Sequence, residues 1–272
     1  MNSLEVLVVT MHQNDLSIYK KMNIQSDVFF ANQADCYAYE ELGFNGNTAR
    51  MITTGQRGVG RNRNTALLYA KREICLLADD DVIYDEGYED AILDAFNDLP
   101  QADIIIFNCH SDSDRKPRVR KKIKRVRKWN FMGYGTCRIA IRKSSILKKN
   151  IFFSLLFGGG ALYSAGEDSL FLKEALDKGL RIYTHPYNIG IVSQETSTWF
   201  SGFNEKLFFD KGAWLQAAFP NIKYLLACYF AIRFRRLSSL KPMNMLRLMI
   251  NGMKAYQNNL SYEEWNANEY EK

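Results

Sequence analysis

The sequence predicts an α/β fold: a mostly parallel central sheet with flanking helices, plus a helical C-terminal extension. Three observations carry that expectation. Short β-branched apolar runs alternate with segments of helical composition, as β-α-β units do. The runs end in polar residues (Thr10, Asn32, Asp79), which fits strands delivering side chains to one sheet edge. From residue 201 the texture turns aromatic and basic, with no strand-like run.

Taken in order, "LEVLVV" (4–9) is a buried strand closing at Thr10, "LSIYKKMN" a helix and "SDVFFAN" a second strand. "TTGQRGVGRNRNTALLYAKRE" leads through glycines into a helix over 62–73, with Ala66, Leu67 and Ala70 on one side. "ICLLA" is a third strand, with Asp79, Asp80 and Asp81 at its carboxyl end. "GYEDAILDAFNDL" is an amphipathic helix and "ADIIIFNC" a fourth strand. "WNFMGYGTCRIAIRKSSIL" reads as a glycine-interrupted loop, a strand and a helix start. A glycine loop, a helix from about Glu167 and a strand over 180–184 follow.

Charge is distributed unevenly. "RKPRVRKKIKRVRK" (115–128) holds ten basic residues and no acid, so removing it takes the net charge from +6 to −4. One local cluster without a recognition motif predicts no nucleic-acid partner. It fits a solvated loop, or attraction to anionic lipid or to a lipid-diphosphate acceptor. In the tail, "IKYLLACYFAIRFRRL" sets aliphatic and aromatic residues beside Arg233, Arg235 and Arg236, which fits a helix lying in a membrane interface and equally a core-packing or dimer-forming helix. Its longest uncharged apolar run, 224–232, is too short to span a bilayer. The five cysteines are dispersed and form no CxxC pair, and "MNSLEVLVVT" reads as a first strand, not a signal peptide. A cytoplasmic protein, peripheral at the inner face of the membrane, is the expectation.

Consecutive aspartates at a strand end repel one another unless a positive group completes the site. Carboxylates of this kind suit Mg²⁺ or Mn²⁺, which take remaining ligands from water and substrate phosphates. Glu167 and Asp168 open a helix after a glycine loop, where one is a candidate general base. Arg57, Arg61 and Arg63 flank glycines at a helix start, a position that favours anions.

The ordered set "RGVGRNRNTAL", "CLLADDDVIY" and "GEDSLFLKEALDKGLRIY" resembles a family 2 glycosyltransferase of the Rossmann-like GT-A fold, of the bacterial surface-polysaccharide type. The resemblance implies a metal-dependent inverting hexosyl transfer from a nucleotide-diphosphate donor, UDP first, to a hydroxyl of a glycan or lipid-linked acceptor. It implies Asp168 as base, with Glu167 orienting the acceptor or the base. The DXD-type triplet would serve the donor through Asp79 and Asp80 and the metal through Asp81 and Asp79. Thr10, Arg57, Arg61 and Asn64 would lie near the nucleotide. Where relatives carry an aspartate-rich stretch, this chain has "ANQADC", leaving Asn32 or Gln33 to bond to the base. Where many carry a metal-binding histidine, it offers Gln194 and Glu195, with Gln194 as third ligand; His185 reads as structural. Residues 1–200 would be the catalytic domain and 201–272 the extension. The alternatives are a metal-dependent nucleotidyltransferase or sugar-phosphate transferase, and a non-catalytic basic binding protein.

Overall fold

The computed structural model describes residues 3–111, 119–193 and 202–270. The chain begins β1 (Leu4–Met11), α1 (Ile18–Lys21), β2 (Asp27–Gln33), β3 (Ala38–Phe44), β4 (Asn47–Thr54) and α2 (Val59–Tyr69). It continues β5 (Ile74–Asp79), β6 (Val82–Tyr84), α3 (Tyr88–Asp98), β7 (Ile104–Ser111) and β8 (Lys124–Val126). A 3₁₀ turn (Thr136–Arg138), β9 (Ile139–Arg142), α4 (Lys143–Lys148), α5 (Glu167–Asp177) and β10 (Ile182–Val192) complete the α/β part.

The strands form one sheet in the order β3-β4-β2-β1-β5-β9-β7-β10-β6, with β8 beside β10. β1, β2, β4, β5, β7 and β10 share one direction; β3, β6, β8 and β9 oppose it. The run β4-β2-β1-β5 is parallel, and β1, β2 and β5 carry long apolar runs because both faces are covered. Register aligns their carboxyl ends: Thr10 beside Asn32, Asn32 beside Thr53, and Val9 beside Asp79. That edge carries the candidate site.

Several elements differ from the sequence expectation, which held neither β6 nor β8. The β3–β4 hairpin, absent from it, turns on Asn45 and Gly46, both at positive φ. The helix expected over 62–73 begins three residues earlier and stops at Tyr69, before Ala70 turns extended. β10 runs on to Val192, past Pro186, because its register against β7 shifts there.

The extension is α6 (Glu205–Ala218), α7 (Lys223–Arg233), α8 (Pro242–Gln257) and α9 (Tyr262–Tyr270). α6 and α8 cross with backbones in contact. A Cβ on Gly212 would meet the Met249 carbonyl oxygen at 1.9 Å, and one on Gly252 the Phe209 carbonyl oxygen at 1.9 Å. The unit shares a core with Phe157 and Tyr163 of the loop before α5. Asp210 accepts bonds from the Ser164 backbone and hydroxyl, and Trp214 donates to the Ser169 hydroxyl at 3.0 Å. Gly166, at φ +119°, leaves room for Trp214, whose Cδ1 would lie 2.4 Å from a Cβ there. The extension therefore buttresses the start of α5. The boundary expected at residue 200 lies outside the described residues. Among them, no helix is long and apolar enough to cross a membrane.

Candidate active site

α2 carries an arginine on the face that buries Ala66 and Leu67. Asn64 fixes the helix by donating to the Phe153 carbonyl at 2.9 Å and accepting from the Phe153 N–H at 2.8 Å. The Arg63 guanidinium lies 5.4 Å over the Phe153 ring, oriented by it. Its Nη1 donates to Glu167 Oε1 at 2.7 Å and Asp168 Oδ1 at 3.1 Å, and its Nη2 to Asp79 Oδ1 at 2.8 Å. One buried cation thus joins the end of β5 to the first turn of α5. Its Nε is buried without a partner among the described residues.

Asp168 also accepts from the Thr136 hydroxyl, again through Oδ1. Burial, then the neighbouring Glu167, push its carboxyl up to about 7; Arg63 and Thr136 act in the opposite direction. The side chain remains 27% exposed, and both bonds it accepts fall on Oδ1. Glu167 is more enclosed, and its Oε2 accepts from the Gly166 N–H at 3.1 Å.

Asp80 accepts from the Thr10 hydroxyl at 2.5 Å, and burial raises its pKa. Asp81 has no basic partner among the described residues. Burial, followed by Asp79 and Asp80, pushes it up to about 6. Asp81 lacks a counter-charge and Asp79 has only one oxygen on Arg63, so hard oxygen donors remain here for a divalent cation. Asp81 and Asp79 would hold it, in an open arrangement completed by water and substrate. Among the described residues no three His, Cys, Asp or Glu side chains are grouped so as to hold a metal ion, and Gln194 lies outside them.

The other expected residues share this edge in different conditions. Asn32 is fully buried and spends its amide on Gln13 and Thr53. Gln33 donates to the Gly58 carbonyl at 3.2 Å. Arg57 pairs with Asp35 at 2.6 Å and Arg61 bonds to Gln56 at 3.1 Å, both with exposed side chains. Arg63, expected beside Arg57 and Arg61 to favour an anion, instead spends its guanidinium on Asp79, Glu167 and Asp168, and one residue outside the expected set, Thr136, belongs to the site. Arg63 left a signal, since it stands three and four residues before Ala66 and Leu67 on an otherwise apolar stripe. Thr136, in a three-residue 3₁₀ turn, left none. His185 packs against Phe107, ring centroids 5.3 Å apart.

Residues 32–155 match the family model described as Glycosyl transferase family 2. That span holds Arg63, the aspartate triplet and Thr136, and stops before Glu167. No curated protein matches the chain. Among solved structures, S. aureus TarS 1-349 in complex with UDP-GlcNAc aligns with a TM-score of 0.60 at 14% identity, over 96% of this chain and 93% of that one. The same fragment in complex with UDP aligns at 0.56 and 14%, with the same coverage. A further S. aureus TarS structure aligns at 0.53 and 15%, over 96% of this chain and 44% of that one. At such identity the likeness shows the fold, which is GT-A.

Proposed function

We propose that the chain is an inverting glycosyltransferase moving a sugar from a nucleoside-diphosphate donor, UDP-linked first, to a hydroxyl of a glycan or lipid-linked acceptor in surface-polysaccharide synthesis. The observation that carries this reading is the state of Asp168. Its Oδ1 is held by Thr136 and Arg63, which leaves Oδ2 to accept a proton. A carboxyl near 7 is matched to general-base work at neutral pH.

The acceptor oxygen attacks the anomeric carbon from the side opposite the diphosphate while its proton passes to Asp168 Oδ2. Arg63 fixes Asp168 relative to Asp79, so the base and the donor end of the site are positioned by one group. A divalent cation, Mn²⁺ or Mg²⁺, held by Asp81 and Asp79 would supply charge neutralisation at the leaving diphosphate. The family 2 match, and the UDP and UDP-GlcNAc named in the TarS complexes, support the donor class.

The membrane contact rests on α7, whose Leu225, Tyr229 and Ile232 are exposed on a helix ending in Arg233. Aliphatic and aromatic side chains beside basic ones suit an anionic bilayer surface.

The test is a screen of UDP-sugars for donor hydrolysis and transfer with Mn²⁺ or Mg²⁺ present. Asp168→Asn is expected to lower kcat by roughly 10²-fold or more with donor affinity retained. Asp81→Ala is expected to remove most turnover. Undiminished turnover in folded Asp168→Asn would remove the base from the reading.

A further inference from the structure

The basic segment that the sequence sets apart is built into the sheet. Asn108 of β7, itself 4% exposed, donates to the Arg120 carbonyl at 2.9 Å and accepts from the Arg120 N–H at 2.8 Å. Its amide also reaches the Pro186 carbonyl at 2.7 Å, so the segment is tied to β7 and β10 together. β8 pairs antiparallel with the start of β10, Val126 is buried, and the Thr184 hydroxyl faces the Lys122 and Lys124 carbonyls at 3.3 and 3.4 Å.

Arg120, Lys121, Lys122, Lys124 and Arg125 line one hollow of about 720 Å³, together with Tyr134 and Thr184. The Arg120 guanidinium lies 4.7 Å over the Tyr134 ring. None of the five cations forms an ion pair among the described residues, whereas nearby Lys128 pairs with Asp177 at 2.7 Å. Like charges gathered around one space with no acid among them are set up for an anion. The volume far exceeds that of a single phosphate. Tyr134 stands two residues before Thr136, which donates to Asp168. Two residues of chain span at most about 7 Å, so the backbone of one hollow-lining residue stands within that reach of the residue that holds the candidate base.

We propose that this hollow binds successive phosphate groups of an anionic acceptor chain and so brings its hydroxyl to Asp168. The proposal rests on the transferase reading and adds the acceptor's chemical class. A concave site tied to β7 and β10 suits a chain that enters it better than a flat array of lipid headgroups, for which α7 offers an outward face.

The experiment uses the full chain and three probes: a short inorganic polyphosphate, an uncharged oligosaccharide, and vesicles of equal parts phosphatidylglycerol and phosphatidylcholine. Saturating UDP is present throughout, so polyphosphate held at the donor edge is not counted. The unaltered protein is expected to bind polyphosphate in a salt-sensitive way and the oligosaccharide far more weakly. Lys121→Gln/Lys122→Gln/Lys124→Gln is expected to weaken polyphosphate binding about tenfold, taking about 0.5 kcal/mol per exposed charge. The corresponding triple Lys→Arg variant is expected to restore it. All three side chains are exposed, so the melting temperature should stay near that of the unaltered protein. Polyphosphate binding that is absent, or that survives the Gln variant, overturns the proposal. A loss confined to the vesicles does so too and assigns the cations to a lipid surface. UDP binding is read separately on the unaltered protein, so a failure there counts against the transferase reading and not against the hollow.

Discussion

The crevice at the sheet edge and the hollow beside β8 have opposite charge and opposite construction. In the crevice Asp79, Asp80, Asp81, Glu167 and Asp168 gather around Arg63, which alone bridges three of them. The hollow gathers five cations with no acidic partner among the described residues. The crevice is desolvated around Arg63 and Glu167 while Asp80 and Asp81 reach its surface, and Asp81 and Asp168 are pushed up to about 6 and about 7. The hollow's side chains are largely in water, where the same Coulomb terms are several times weaker. Equal accumulations of like charge therefore differ in consequence. In the crevice they set protonation and rigidity; in the hollow they set attraction for a ligand.

Arg63 is where the comparison is most easily broken, and the largest effect is expected there. Arg63→Met keeps bulk but leaves Asp79, Glu167 and Asp168 without their shared donor. Removing one partner of a buried ion pair costs about 3–5 kcal/mol, because the remaining charges are uncompensated. Arg63→Lys keeps the charge but loses the fork that reaches both strand and helix, so a smaller loss is expected. Urea denaturation of both variants measures this. A loss under about 1 kcal/mol for Arg63→Met would show that the crevice is not organised around it.

The next effect is in pH, and it has opposite signs for activity and stability. Asp168 must be ionised to take a proton, so kcat/KM is expected to fall about tenfold per pH unit below about 7. For stability, a carboxyl whose folded pKa lies above its unfolded value binds its proton more tightly in the folded state. Its contribution is fully present below about 4 and is lost as pH rises through about 7. Unaltered protein compared with Asp168→Asn should therefore lose relative stability from about pH 4 to 7 while its activity rises. Urea midpoints and kcat/KM across that range check both signs. A flat activity profile would detach Asp168 from the proton transfer.

The two regions were not equally legible in sequence. The parallel strands were, because strands covered on both faces read as unbroken apolar runs such as "VFFA" and "CLLA". The acidic edge followed, since a strand end fixes where Asp79 sits. The β3–β4 hairpin went unread although Asn45-Gly46 is a strong turn signal, because Tyr39, Glu40 and Glu41 on an edge strand mask the apolar alternation. Asn32 and Asn64 show another limit. Composition marks them as polar at the right edge, but only coordinates show their amides spent on the protein's own chain. The basic segment was obvious as charge, yet its anchoring by Asn108, twelve residues upstream of Arg120, was not. Long-range side-chain-to-backbone bonds of this kind leave no periodicity to read.

The smallest effect tests the hollow's half of the comparison. Exposed like charges repel, but water and salt screen them, so neutralising Lys122 and Lys124 together is expected to change stability by no more than about 0.5 kcal/mol. The sign should be stabilising at low salt, the reverse of the Arg63 result, because repulsion is relieved and no buried partner is orphaned. At about 1 M salt the screening length falls to about 3 Å, and the difference from the unaltered protein should vanish. Urea midpoints of Lys122→Gln/Lys124→Gln at both ionic strengths measure this. A salt-independent loss of more than about 1 kcal/mol would mean that the lysine stems hold β8 in place by packing. The hollow would then resemble the crevice, a region whose charges are structural, and the contrast between the two would fail.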